Sequence, residues 1–297
     1  MTHARRLREL LAGKPFIAPG CYDAFTALLI EQAGFSCAYV SGASVSFTRL
    51  GRPDIGLTTL TEVAETVGNI RDRIGLPLIV DGDNGFGNAL NVQRTVRLLE
   101  KMGASAIQLE DQTMPKRCGH LAGKTLVTTG EMVGKLKAAQ DARHETDTVI
   151  VARTDAITVE GFEAGLARAH AYAAAGADVL FVEALTDQEQ LARVGRELGG
   201  RLPLLANMVE GGKTPLLTIA ELGALGFRLA IFPGAMVRVI GHAASNYLAT
   251  LRVEGTTRTM LDRMLDFSGL NAVIGTDELL RHGEGYAPRA DSRKPGA

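Results

Sequence analysis

Cysteine is scarce in this sequence: Cys21, Cys37 and Cys118 are the three in 297 residues. Three thiols make neither an even disulfide framework nor a paired zinc-ligand spacing, so a disulfide-stapled scaffold is excluded and a reducing cytosol is expected. Charge of one sign is also missing, with 32 Lys plus Arg against 33 Asp plus Glu. Without a basic face, neither nucleic acid nor an anionic membrane is an expected partner. Long apolar runs are absent too. The longest, 171–175 and 179–182, fall far short of the ~20 residues that span a bilayer. Met1 to Lys14 alternates basic and apolar residues but lacks the apolar centre and cleavage site of a secretory signal, and is expected to form a leading helix.

What is present is a repeated unit. Short apolar segments rich in β-formers, bounded by turn residues, are each followed by a stretch with helical periodicity. They run Phe16 to Ala18, Cys37 to Ser41, Leu76 to Asp81, Ala106 to Glu110, Thr148 to Arg153, Val179 to Glu183, Leu202 to Asn207 and Leu229 to Phe232. Helical patterns such as Gly161 to Ala175 and Gln188 to Leu198 separate them. Continuous Val/Ile/Leu runs mark parallel strands covered on both faces. Eight such units predict an α/β fold of the (β/α)8 TIM-barrel type. The rival, an open doubly wound sheet, carries Gly-x-Gly-x-x-Gly after its first strand, where this chain has Pro19-Gly20-Cys21-Tyr22. One catalytic domain over 1–297 is therefore expected, at a length that suits a single barrel. Ala235 to Glu254 reads as a long helix, and a helical pattern continues from Thr257 to Leu280. That surplus, a 258–282 extension, needs a surface to dock on. The Gly-, Pro- and Arg-bearing tail, 283–297, is expected to be mobile.

Active sites of parallel barrels lie at the C-terminal ends of the strands, so the polar residues that follow the apolar runs are the candidates. They are Tyr39 and Ser41-Gly42, Asp81 and Asp83, Glu110, Arg153, Glu183, and Asn207 with Glu210 nearby. Asp81, Asp83 and Glu110 on neighbouring strands would repel one another without a cation. Hard oxygen donors with no His or Cys among them indicate Mg2+, with Mn2+ able to substitute. The competing explanation is that these acids cap the following helices.

A long connection, Gln112 to Thr129, holds Lys116-Arg117-Cys118-Gly119-His120 and then Gly123-Lys124. Loops of this length on a barrel are often lids. Cys118, flanked by Lys116, Arg117 and His120, is the candidate proton-transfer group, because nearby positive charge favours the thiolate. Cys21 and Cys37 are expected to be buried small hydrophobes. Arg153 is placed to clamp a substrate carboxylate through two hydrogen bonds, or else to pair with a rim acid. His144, His170 and His242 are expected on helix faces away from the rim.

These residues together give the chain a resemblance to the isocitrate lyase/phosphoenolpyruvate mutase superfamily from about Ala18 to Thr257. The motifs that carry it are Tyr39-Val40-Ser41-Gly42, Gly51-Arg52-Pro53-Asp54, Asp81-Gly82-Asp83-Asn84-Gly85-Phe86-Gly87, Glu110-Asp111-Gln112, Lys116 to His120, Arg153-Thr154-Asp155-Ala156 and the segment Ala206 to Pro215. The resemblance implies a homotetramer in which the C-terminal helix swaps between subunits. It also implies that Asp83 touches magnesium directly while Asp54, Asp81 and Glu110 act largely through water. Ser41, Gly42, Ala43 and Arg153 would hold the 2-oxo-acid part of a small carboxylic acid. Gly119, Glu183, Asn207 and Arg238 are the remaining candidate substrate contacts.

The Lys-Arg-Cys-Gly-His loop looks like the lyase branch, in which the cysteine protonates a carbanionic product. The implied activity is carbon-carbon cleavage of a 2-hydroxy di- or tricarboxylate, with Tyr39 as a candidate base, Cys118 as acid, and Lys116 and His120 beside it. Ala43 stands where related lyases often have glycine. Val209 stands where tricarboxylate-cleaving relatives have a hydroxyl residue, which disfavours isocitrate; Arg238 matches an arginine of methylisocitrate lyases. The order of expectation is a 2-alkylmalate or 2,3-dimethylmalate lyase, then 2-methylisocitrate lyase, then a carboxyphosphonoenolpyruvate mutase or oxaloacetate-cleaving enzyme. A barrel that only binds a small acid would lack a carboxylate, the arginine or the loop cysteine, and none is missing.

Overall fold

Valine, isoleucine and leucine fill the apolar segments without polar alternation, and such strands are stable only when both faces are covered. The computed structural model, which describes residues 1–119 and 121–286, meets that requirement by closing the strands on themselves. The strands are β1 (Phe16–Cys21), β2 (Ala38–Val40), β3 (Leu78–Asp81), β4 (Ala106–Glu110), β5 (Val149–Thr154), β6 (Val179–Val182), β7 (Leu204–Asn207) and β8 (Leu229–Phe232). They form a closed barrel in sequence order. Closure is made by parallel pairing of β1 with β8, from Phe16 opposite Leu229 to Pro19 opposite Phe232. The expected (β/α)8 architecture is therefore the observed one.

Ile79, Val149, Val151, Val179, Phe181, Leu205, Leu229 and Ile231 share one buried cluster with Leu7 and Leu11 of the leading helix, His3–Ala12. Each such side chain contributes about 1.5–3 kcal/mol by leaving water. The outer helices start on side-chain caps. Asp23, Thr59, Asn88, Thr128, Asp187 and Thr218 each accept a hydrogen bond from the first turn that follows. Capping is thus done by residues other than the rim acids.

The chain divides into two compact units, Met1–Val239 and the part from Ile240 onward. In the second, the helical extension is not continuous. It comprises a 3-10 stretch, Arg258–Arg263, and two short helices, Phe267–Ile274 and Thr276–Glu284. Asp266 caps the first of these two, and Gly275, at φ 79°, ends it in the left-handed region that glycine adopts without strain. A Gly at that point breaks a pattern that periodicity alone reads as one helix. The last helix also runs to Glu284, past Gly283, where the tail was expected to begin; 287–297 lie outside the described residues. His144 lies in the turn after Thr129–Ala142 rather than on a helix, whereas His170 and His242 are helical.

Candidate active site

At the C-terminal ends of the strands a cavity of ≈ 200 Å³ opens, about the size for a small acid. Tyr39 and Ser41 reach it from the end of β2, Asp81 from β3, Glu110 from β4, Arg153 from β5 and Asn207 from β7. Ala43, Asp54, Lys116, Cys118, Gly119, Glu183 and Arg238 also line it. Gly42 lies just behind, where an added Cβ would sit 3.0 Å from Asp81 Oδ2. Asp83 is buried beneath Lys116, and His120 falls outside the described residues.

The acids are packed together out of water. Asp54, Asp81, Asp83 and Glu110 are all buried. Lys116 Nζ is 2.6 Å from both Asp54 Oδ1 and Asp83 Oδ1. Burial pushes the Asp83 carboxyl up to about 7 against the pull of Lys116, with repulsion from Asp81 and Asp54 adding to it. Burial likewise raises Glu110, which Arg153 opposes. Burial also works against the Lys116 ammonium, but Asp83 and Asp54 outweigh it and keep this lysine charged. Asp83 itself sits at φ 48°, an uncommon conformation for a residue with a side chain. Its turn is held by Glu110 N–H donating to Asp83 O, and by the Lys135 ammonium donating to Asn84 O at 3.1 Å.

Tyr39 donates its hydroxyl to Gln108 Oε1 at 3.1 Å, and Gln108 Nε2 donates to Asp81 Oδ1 at 3.3 Å. Burial, with Asp81 beside it, moves the Tyr39 phenol well above its ordinary value, so in this state it is a neutral donor and not a base. Gln108 was not singled out in the sequence. Its signal was there, as the one polar side chain inside the apolar run Ala106 to Leu109.

Arg153 takes the ion-pairing role that the sequence also allowed. Its Nε and Nη2 donate to Asp155 at 2.9 and 3.0 Å, Nη1 lies 3.3 Å from Glu110, and the guanidinium stands over the Phe181 ring. Burial opposes the Asp155 carboxylate, yet Arg153 and Lys124 hold it below the usual range. Glu183 accepts from Asn207 Nδ2 at 2.9 Å and from Ala184 N–H at 2.7 Å, the latter residue at φ 63°. Strained backbone of this kind persists where the surroundings over-determine it. Behind the barrel wall, Asp111 accepts from Thr154, Tyr172 and the Asp155 N–H. That buried carboxylate fixes the end of β5.

The connection between β4 and the next helix folds over the cavity as a strap. Gln112 bridges to Leu126, and Thr113 N–H donates to Thr125 O. The Gln112 side chain and the Arg117 backbone exchange two hydrogen bonds, 2.8 and 3.0 Å. Cys118 N–H donates to Asp54 O, which brings the partly exposed Cys118, outside any disulfide, to the cavity wall. Of the positive charge expected around the thiol, Lys116 turns to the carboxylates and Arg117 to the Ala122 carbonyl. Cys21 and Cys37 are buried as expected, and burial pushes the Cys21 thiol up to about 12.

At the mouth, Phe47, Val209 and Pro233 supply an apolar wall that sequence reasoning had noted only at Val209. Arg238 Nη1 is 2.7 Å from Glu210 Oε2 in a solvent-exposed pair, an interaction worth little and easily exchanged.

The donor set suits a divalent cation. Glu110 Oε1 is buried without a hydrogen-bond partner, and Asp83 Oδ1 meets the Lys116 ammonium at 2.6 Å. A buried, unpaired carboxylate oxygen is costly unless a cation meets it. Among the described residues no three acidic, histidine or cysteine side chains converge into a ready-made cage.

Comparison with known proteins agrees with this geometry. The family model for phosphoenolpyruvate phosphomutase matches residues 7–252. A 2,3-dimethylmalate lyase of Eubacterium barkeri is 45% identical over 288 residues, 97% of this chain and 99% of that protein. A 2-methylisocitrate lyase of Aeropyrum pernix is 45% identical over 270 residues, 91% of this chain and 86% of that protein. Among solved structures, an oxaloacetate acetylhydrolase bound to 3,3-difluorooxalacetate superposes with a TM-score of 0.91 at 34% identity, covering 98% and 99% of the two chains. A phosphonopyruvate hydrolase solved with oxalate and Mg2+ gives 0.86 at 31%, covering 96% and 99%. The barrel, its ring of buried acids and these matches have one conclusion: the chain belongs to the phosphoenolpyruvate phosphomutase family, within the PEP mutase/isocitrate lyase superfamily.

Proposed function

We propose that this protein is a magnesium-dependent carbon-carbon lyase that cleaves a 2-hydroxy dicarboxylate of the 2-alkylmalate or 2,3-dimethylmalate type into a 2-oxo acid such as pyruvate and a second carboxylate. The observation that carries it is the convergence, in one small cavity, of cation-seeking carboxylates, Arg153 and a cysteine-bearing strap. In the reaction the 2-hydroxyl passes its proton to a carboxylate of the rim and the C2–C3 bond breaks. C2 becomes the oxo carbon and C3 leaves as the α-carbon of a carboxylate enolate, to be protonated by Cys118. Asp83, with Asp54, Asp81 and Glu110, would hold the metal, which supplies Lewis-acid stabilisation of charge on the 2-oxo acid's oxygens. Ser41, Ala43 and Arg153, with Gly42 just behind, would hold the 2-oxo-acid end, and Glu183, Asn207 and Gly119 the departing half. Tyr39 positions through its hydroxyl. Lys116 balances the acids, and Lys116 and His120 remain candidates for proton movement beside Cys118.

The apolar wall of Phe47 and Val209 favours an alkyl substituent over a third carboxylate. Arg238, already paired with Glu210, is not waiting for one. A second reading, 2-methylisocitrate cleavage to pyruvate and succinate, draws on the exposure of that same pair, which a substrate carboxylate can displace. Comparing kcat/KM across 2,3-dimethylmalate, 2-ethylmalate, 2-methylisocitrate, isocitrate and oxaloacetate tests both. The alkylmalates should lead; pyruvate and succinate from 2-methylisocitrate at the highest kcat/KM would install the second reading, and activity on phosphonates alone would discard both.

The assembly proposed is a homotetramer built by exchange of C-terminal helices between copies of one cytosolic catalytic domain. Its support is the exposed apolar surface of the second unit, including Val253, Leu261, Phe267, Leu279 and Leu280. Among the described residues no helix is long and apolar enough to cross a membrane.

A further inference from the structure

Lys124 has no part in the reaction as drawn, yet its side chain is 1% exposed and ion-paired to an Asp155 side chain that is 0% exposed. Lysine is rarely buried without a specific partner to justify the loss of hydration. Here there are two. Nζ donates to Gly119 O at 2.6 Å and to Asp155 Oδ1 at 2.8 Å. The first partner is the peptide carbonyl next to Cys118, and the second is the carboxylate that orients Arg153 through two hydrogen bonds. Gly119 is in turn pressed against Arg153 and Glu183, where an added Cβ would lie 2.6 Å from Arg153 Nη2 and 2.8 Å from Glu183 Cγ. The contacts form a closed ring: Gly119 to Lys124 to Asp155 to Arg153 and back to Gly119.

Cys118 is therefore held on both sides. Ahead of it, its own N–H is fixed to Asp54 O; behind it, the Gly119 carbonyl is fixed by the lysine. Lys124 belongs to the strap itself, whereas Asp155 follows directly on a barrel strand, so the ion pair ties the strap to the barrel. We propose that Lys124 is a positioning residue whose ammonium, by tying the Gly119 carbonyl to Asp155, latches the strap and sets Cys118 in register with Arg153.

The catalytic half of this proposal rests on Cys118 being the proton donor; the latch itself does not. Both are tested with Lys124→Met and Lys124→Arg in the full-length chain. Iodoacetamide alkylation of Cys118, located by peptide mass spectrometry, should speed up by about tenfold or more in Lys124→Met as the strap opens locally. Its kcat on 2,3-dimethylmalate should fall by about 100-fold with a much smaller change in KM, the scale of loss expected from an ångström of misplacement. Lys124→Arg, which keeps the charge, should fall between wild type and Lys124→Met in both measurements. A purely structural lysine would lower the melting temperature and leave both readouts at wild-type values below it, and that result overturns the proposal. Should Lys124→Met fail to fold, Lys124→Gln, which removes the charge that pairs with Asp155, still decides, since wild-type alkylation and kcat in that variant reject the latch. Cys118→Ser separates the two levels: full turnover there withdraws the donor role, while the alkylation comparison continues to judge the latch.

Discussion

Cys118 stands beside the cavity with its backbone anchored, and replacing its thiol by a hydroxyl puts a far weaker acid in its place. Cys118→Ser should lower kcat by about 100-fold or more, within the range general acid catalysis contributes, and leave binding of the pyruvate product by calorimetry close to wild type. Asp83 is the residue with a pH signature. Its folded-state value is raised to about 7, so the folded protein binds a proton more readily than the unfolded chain. Stability from that group is full below the unfolded value and is lost as pH rises through about 7. In chelator, the melting temperature should therefore fall from about pH 4 to about pH 7 and level off above, and Asp83→Asn should flatten that fall. A pH-independent melting curve in the chelated wild type would contradict this account. Much of the site was legible because its acids and Arg153 follow apolar runs directly, where the barrel rule looks. Phe47 and the chain of hydrogen bonds from Tyr39 through Gln108 to Asp81 were not, since lateral neighbours across strands leave no mark on linear spacing.

At the level of elements, the eight strands were readable from composition because both-face burial leaves no polar alternation to confuse with a helix. Their ends shifted by up to three residues, as at β1, where Pro19 and Gly20 look like a turn yet continue pairing with β8 and β2. The C-terminal extension was misread as one helix, because 3.6-residue periodicity survives a break at Gly275. The strap between β4 and the next helix was legible as a long loop, but its closure depends on Gly119 having no side chain. Gly119→Ala should lower kcat/KM by about tenfold or more through misplacement of the loop, with little change in melting temperature. Steady-state kinetics beside a thermal melt checks this. Unchanged kinetics would mean that the strap closes without that contact.

For the whole molecule, a cation that binds only the folded state must raise its stability by mass action. Chelator should lower the melting temperature and Mg2+ should restore it, with Mn2+ as a substitute. The exposed apolar side chains of the second unit make a further demand, because surfaces of that kind are normally covered by a partner. Light scattering should report a tetramer, and truncation after Glu254 should reduce its mass; a wild-type monomer would remove helix exchange from the account. The central claim is metal-assisted cleavage of a carbon-carbon bond, and release of pyruvate from 2,3-dimethylmalate measures it directly, first with Mg2+ and then with chelator. The account predicts stoichiometric pyruvate and propionate that stop on chelation and resume with added Mg2+. Undiminished pyruvate in chelator, or no pyruvate in Mg2+, would contradict it.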